Sequence, residues 1–547
     1  MANVNISKVY ILNAPLENDY KHTLYFASKE AQESYFKSKI IKSYEDFSYQ
    51  RKDNLIRIPD HFDNLQNVNY VMYQNTAYSN KWFYAFVTDV VYIDDGRTDI
   101  HIETDYMQTW MFDITVKESF VEREHVSDDT VGLHTVPEKL ETGDYITNKT
   151  NRLGVLNDCV IIVASTIDTY LEYKEDGTFE SAGGNHKYGG VYGGVPTGYK
   201  YFCFEIGKDK QLKDVLTAFA DEGYNDAIQF MFLCPREFIR FPDDTYKYDN
   251  EMLPDTYTQT SFMWSDYDDS IKKPTLIDGY TPRNNKLFTY PYTYLMMDNN
   301  NGSQAIYKFE LFNHWNDVSI CEFEICGSIT PSMDIILAPH YYNGYSHVGD
   351  GINFSESLSA GKYPICGWSS DAYTNWLTQN GVNIATNILT NMIGTATGVA
   401  TAVAVPGAGL MGAGMTVSGV TGIASTLGEV YKHSLVPVQA QGATNNGSIK
   451  YATNNNTFTA YTMSIKQEYA RIIDKYFDMF GYKVNMVKTP NKNHRARYWY
   501  TKTIDVNIDG AIPTKDMQKI KDCYNNGITF WKNPSDIQNY GPTNNII

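Results

Sequence analysis

The chain has 547 residues, enough for about two to four folding units and for a sizeable core without disulfide staples. Its 46 Lys and Arg against 64 Asp and Glu leave a formal charge of −18, which excludes a protein whose main task is to grip nucleic-acid phosphates through a basic surface. The 44 Tyr, 26 Phe and 8 Trp make up 14% of the chain, a composition that favours strands and interfaces.

Residues 1–13 lack a basic region followed by an apolar one, so no secretory signal is read and synthesis in a cytoplasm is expected. Strand character dominates the first 370 residues. Lys8–Leu12 and Tyr70–Tyr73 are short apolar runs; Lys81–Ile93 is aromatic and β-branched, Asp95-Gly96 follows as a turn, and Asp99–Thr104 alternates apolar with polar. That pattern predicts a β-hairpin with one buried face. Similar runs lie at Val160–Ala164, Tyr201–Ile206, Ile306–Phe312, Ser319–Ile325 and Met333–Leu337. Many strands and few long helices place the chain in the mainly β class, as a sandwich or barrel.

Residues 183–198 contain seven glycines. No Gly-Lys-Ser/Thr ending and no helix pattern follow, so a phosphate-cradling loop is rejected in favour of a hairpin tip or subunit-contact loop. Seven cysteines (Cys159, Cys203, Cys234, Cys321, Cys326, Cys366, Cys523) form an odd, scattered set without a Cys-x-x-Cys pair, read as buried thiols and not as a zinc or disulfide framework. No metal or cofactor is expected.

After Asp371 the next charged residue is Glu429, an interval of 57 residues without Asp, Glu, Lys, Arg or His, where the chain's own charge frequency would place about eleven charges. Aromatic residues are absent between Trp376 and Tyr431. Two apolar arms, Val382–Val405 and Gly407–Leu427, flank Pro406; as helices they would span about 36 and 32 Å, enough for a bilayer core. Their apolar residues are Val382, Ile384, Ile388, Leu389, Ile393, Val399, Val403 and Val405 before the turn, and Leu410, Met411, Met415, Val417, Val420, Ile423 and Leu427 after it. Asn383, Asn387, Asn391 and Thr395 recur every four residues as a polar stripe, which suits a helix that faces sister helices or a pore. A buried core hairpin would carry more Leu, Ile and Phe, and a flexible linker would be polar. The segment is therefore read as a sequestered, conditionally membrane-active loop. Nothing in it titrates near neutral pH, so a mechanical or contact trigger is expected.

Downstream, residues 433–547 hold 14 Lys/Arg and 8 Asp/Glu, whereas the first 371 residues carry a net −24. Apolar residues at three-to-four spacing (Ile465, Tyr469, Ile472, Ile473, Tyr476, Phe477, Phe480) predict a helix over Ile465–Phe480 ended by Gly481. A second is predicted over Thr514–Tyr524, with Thr514 as N-cap and Asn526-Gly527 as its end before a strand at Ile528–Lys532.

Asp105-Tyr-Met-Gln-Thr-Trp110-Met-Phe-Asp113, Ser119-Phe-Val-Glu-Arg-Glu-His-Val126, Tyr476–Gly481, Lys488-Thr-Pro490, Trp499–Thr503 and Gly527–Pro534 resemble, in matching order, the distal tail tube or tail knob proteins of phi29-like short-tailed bacteriophages. The resemblance implies a homohexameric β tube in the distal virion tail, attached to upper tail or collar proteins and conducting viral double-stranded DNA. It also implies that the hydrophobic loops leave the lumen at infection and open the host cytoplasmic membrane. The expected division is 1–150 as an N-terminal tube domain, 151–330 as an inserted knob domain, 331–371 as a return to the tube, 372–432 as the membrane-active loop and 433–547 as a C-terminal tube domain completing the first. Trp110 and the run Glu122, Arg123, Glu124, His125 are structural in this reading; alternating acid and base suits an ion-pair ladder at a tight interface better than catalysis.

Two other functions compete. A tail-associated wall hydrolase would use paired carboxylates, yet no pair stands out by spacing, and neither His-Glu-x-x-His nor Gly-x-Ser-x-Gly occurs. A host-receptor adhesin would use the Tyr-rich stretch around 183–300. The chain is read as a non-enzyme.

Overall fold

The computed structural model describes residues 7–47, 54–76, 79–153, 271–300, 302–326, 333–345, 351–363 and 458–547, and between 159 and 263 and at 367–369 the paired strands. The chain divides into two compact units. Residues 1–145, 276–292 and 465–547 form the first; 146–275 and 293–464 form the second. The tail of the chain thus joins its beginning, and residues 331–371 fall within the second unit.

In the first unit the strands are β1 (Ser7–Leu12), β2 (His22–Leu24), β3 (Ile40–Phe47), β4 (Leu55–Ile58), β5 (Tyr70–Asn75), β6 (Trp82–Asp94), β7 (Arg97–Thr104), β8 (Ile114–Val116), β9 (Ser119–Glu124), β10 (Tyr482–Lys488), β11 (Tyr498–Ile504), β12 (Ile508–Gly510) and β13 (Ile528–Trp531). Its helices are α1 (Lys29–Lys37), α2 (Tyr106–Trp110), α3 (Gln467–Phe480) and α4 (Thr514–Asn526). An antiparallel six-stranded sheet runs β3-β1-β5-β6-β7-β4, a five-stranded sheet runs β2-β13-β11-β9-β10, and β12 pairs with β8. The Asp94↔Arg97 pairing closes the β6–β7 hairpin over Asp95-Gly96, the turn that the sequence predicts.

The core mixes the two ends of the chain. Val9, Ile56, Val71 and Ile100 pack in one cluster with Trp499, Ile520 and Ile528, while Leu12, Phe36 and Tyr70 pack with Tyr498 and Trp531. A third cluster joins Val126, Leu287 and Tyr292 to Ile473, Phe477 and Tyr482. Each aromatic ring buried here removes on the order of 150–250 Å² from water, so rings such as Tyr70, Tyr482, Tyr498 and Trp531 contribute much of this interior.

Both predicted C-terminal helices form, with corrections at their starts. Ile465 ends the strand Phe458–Ile465 instead of opening α3, because Lys466 stays extended and the Asp278 carboxylate caps the Gln467 amide at 2.9 Å. Ile472, expected on the packed face, is 66% exposed; Ala470, Ile473, Asp474 and Phe477 form that face. Thr514 is the first residue of α4 and does not cap it; the extended Pro513 precedes it and no side chain caps the end. A strand expected over Ile306–Phe312 stops at Tyr307 and gives way to a single turn at Phe309–Leu311. Phe309 and Phe312 are both buried, and a spacing of three puts both inward on a turn but on opposite faces of a strand.

In the second unit, Cys159–Ser165 lies between Lys200–Glu205 and Ile228–Pro235, and Gly367–Ser369 pairs beyond the latter. Another sheet orders Tyr145–Leu153, Phe458–Ile465, Thr293–Asp298 and Gln304–Tyr307. A third is built on Ile320–Cys326 and Met333–His340. Within the Gly-rich stretch Gly190–Tyr192 pairs antiparallel with Val195–Thr197. Cys321 and Cys523 are buried free thiols and Cys326 is half-buried; the side chains of Cys159, Cys203, Cys234 and Cys366 lie outside the described residues. Among the described residues no helix is long and apolar enough to cross a membrane.

Candidate functional site

Of the residues singled out by the motifs, Glu122, Arg123 and Glu124 lie on β9, held between β11 and the edge strand β10 of the five-stranded sheet. Alternation along the strand sends successive side chains to opposite faces, and each charge meets a different partner. Glu122 pairs with Lys502 of β11 at 2.9 Å. Glu124 accepts from Lys488 at 2.6 Å and from the Asn491 amide at 2.9 Å. Arg123 donates to the Gly481 carbonyl at 2.7 Å and to the carboxylate of Glu138. Glu138 is fully buried and also takes Lys286, with the Lys483 amide at 2.8 Å. The ladder therefore runs between strands and loops of one chain, with a buried carboxylate shared by two cations at its centre.

His125 continues the strand. The Tyr500 amide donates to Nδ1 at 2.7 Å, which leaves the proton on Nε2, 3.0 Å from the Asp478 carbonyl. Burial, and then the Arg495 guanidinium, push its pKa down to about 3, so the ring is a neutral bridge between β9, α3 and β11. Trp110, the last residue of α2, donates Nε1 to Asp516 of α4 at 3.0 Å, and Lys81 lies 3.8 Å over its ring. Asp105 caps α2 through the Gln108 amide at 3.0 Å and accepts the Tyr70 hydroxyl at 2.9 Å; burial raises its pKa to about 6.

Two features escape sequence reading. Glu138 and Asp474 have no periodic or motif signal, yet Asp474 of α3 organises the segment 280–284 by accepting from the Tyr280 hydroxyl at 2.6 Å and from the amides of Arg283 and Asn284. Beside it opens a cleft of about 1240 Å³ formed by Lys21, Arg283, Arg471, Lys475, Lys519 and rings including Tyr500 and Tyr540. One row of side chains faces outward: Phe120 of β9 sits opposite Val487 and Ile504, all exposed. In the second unit Glu322 lies between His314, 3.4 Å away, and His340, 3.3 Å away, but among the described residues no group of His, Cys, Asp and Glu is arranged to hold a metal ion.

The apolar residues Val382 to Leu427, with Pro406, lie outside the described residues. Their flanks are described: Gly367–Ser369 pairs with Ile228–Pro235, and Phe458–Ile465 pairs with Thr293–Asp298. Both flanks are strands of sheets in the second unit.

Comparison with known proteins matches residues 245–545, more than half of the chain, to the family model described as the Bacillus phage phi29 tail knob protein gp9, C-terminal domain. Residues 5–117 match the caudoviral major tail protein N-terminus. The tail knob protein gp9 of Bacillus phage PZA is 27% identical, with 98% of each chain covered. Those of Bacillus phages phi29 and B103 are 26% and 25% identical, with 98% and 95% covered. Among solved structures, the bacteriophage C1 tail knob protein gp12 superposes with a TM-score of 0.58 at 16% identity, covering 99% of this chain and 100% of that one. The fold is the same.

Proposed function

The chain belongs to the phi29 tail knob protein gp9 family, whose members are components of the phage tail, and from that premise we propose that it forms the distal tail tube and opens the host membrane during genome ejection. Six copies make a ring attached to upper tail or collar proteins; viral double-stranded DNA passes through its lumen. The net −24 of the first 371 residues lets DNA slide without adhering. The apolar residues of 382–427 stay sequestered until infection, then enter the host cytoplasmic membrane together, so that weak single-loop insertion becomes collective. The residues Trp110 and Glu122 to His125 hold the tube unit together and perform no chemistry.

The 57-residue uncharged stretch carries this reading. Released full-length protein is expected to leak dye from liposomes, while a variant lacking 382–427 assembles normally and leaks nothing. Equal leakage from the deletion would remove the loop assignment. Turnover on purified cell wall would instead favour a hydrolase, and host-cell binding by the full chain that survives loop deletion would favour an adhesin.

A further inference from the structure

A head-to-tail ring needs two different, complementary surfaces on one chain. The first unit exposes such a pair. Of β6, only Trp82 to Phe86 pair with β5; from Asp89 to Asp94 the strand pairs with β7 alone. It ends on Tyr92 and Ile93, 50% and 42% exposed. Asp89, Asp94 and Asp95 add three carboxylates to this end of the hairpin: Asp89 accepts from the Val90 amide, Asp94 accepts from the Gly96 amide and lies 4.0 Å from Arg97, and Asp95 accepts from the Tyr92 hydroxyl.

The cleft beside α3 has the opposite character. Lys21, Arg471, Lys475 and Lys519 stand at it, exposed; none of them makes an ion pair among the described residues, and Arg471 lies 5.3 Å over the Tyr280 ring. Its own carboxylates are engaged: Asp19 by the amides of Lys21 and His22, Asp478 by Asn284 and Arg283, Asp522 by Gln518. Tyr280, Phe480, Tyr500 and Tyr540 add aromatic rings to the same lining.

We propose that the β6–β7 turn of one copy seats in this cleft of the next copy, Tyr92 and Ile93 against the rings and Asp94 and Asp95 among the cations that lack an ion-pair partner. The inference rests on the ring reading above and adds to it which surfaces meet. Opposed charge steers the encounter and fixes the register, and like charge at the same contact repels. Phosphate groups of DNA are the competing occupant of a cationic cleft.

The experiment uses three full-length forms: wild type, Asp94→Lys with Asp95→Lys, and Arg471→Glu with Lys475→Glu. Assembly is read by light scattering on a sizing column and by negative stain. Each variant alone is expected to need at least about a hundredfold more protein to form rings while keeping the folded circular-dichroism spectrum, because all four positions are exposed and lose only local contacts. A one-to-one mixture of the two variants is expected to recover rings, since each copy then meets a partner of opposite charge. Rings from both variants alone, or no recovery on mixing, overturn the seating while leaving the ring reading in place. Wild type that forms no ring at any concentration removes both. Cleft-reversed protein that assembles like wild type but loses affinity for a short DNA duplex assigns the cleft to phosphate and overturns the proposal.

Discussion

The indole of Trp110 and the carboxylate of Asp516 share a 3.0 Å hydrogen bond across 406 positions of sequence. Both side chains are buried, so the bond fastens α2 to α4 without help from water. Replacing Trp110 by Phe keeps a ring and removes the donor. We expect a loss of about 1–3 kcal/mol, measured by denaturant unfolding of the full chain followed by circular dichroism.

Glu138 neutralises two buried cations, Arg123 and Lys286. Its change to Gln is isosteric and leaves both without a counter-charge; removing one partner of a buried ion group costs about 3–5 kcal/mol. Changing Lys502 to Ala breaks a half-exposed pair with Glu122 and is expected to cost under about 1 kcal/mol. Equal costs in the two variants would contradict the shared-carboxylate description.

Gly481 has φ +64°, and a Cβ there would lie 2.1 Å from the Glu124 carbonyl oxygen. Alanine is expected to cost more than the roughly 1–3 kcal/mol of a strained dihedral, because β9 must also give way. Gly279, at φ +76° with nothing within 4 Å, supplies the comparison: alanine there incurs the dihedral cost alone, of about 1–2 kcal/mol. The difference between their melting temperatures measures the contact.

Acid sensitivity follows from His125, whose folded pKa lies near 3 against about 6.5 unfolded. Between those values the unfolded chain binds the extra proton, so stability is full above pH 6.5 and falls as pH drops toward 3. His494, pushed down to about 4 by burial, adds in the same direction. Asp105 opposes them: its folded pKa near 6 means that its contribution is present at low pH and fades as pH rises from about 4 to 6. His125→Asn is expected to be less stable at pH 7 and to show a shallower decline between pH 6 and 4. An unchanged slope would show that His125 does not carry the titration.

What could be read from sequence was local. The Asp95-Gly96 turn between alternating runs marks the hairpin, and Gly481 marks the end of α3, because backbone geometry there depends on a few adjacent residues. The packed face of α3 was legible only in part, since Ile472 fits the periodicity yet stays 66% exposed. The motif from Glu122 to His125 was visible as a segment, but its partners Glu138, Lys488, Tyr500 and Lys502 lie between 15 and 380 positions away, where spacing carries no signal. The cleft was invisible for the same reason: Lys21 and Lys519 meet only after the chain's two ends have folded together.

The placement of β13 sets an order of events during synthesis. This late strand lies between β2, with which it runs parallel, and β11, so the sheet holding β9 is incomplete until the ribosome has released residues 528–531. The apolar stretch before Glu429 is therefore translated about a hundred residues before the unit can close. For that interval the nascent chain carries its uncharged stretch while the sheet that holds β9 still lacks an internal strand.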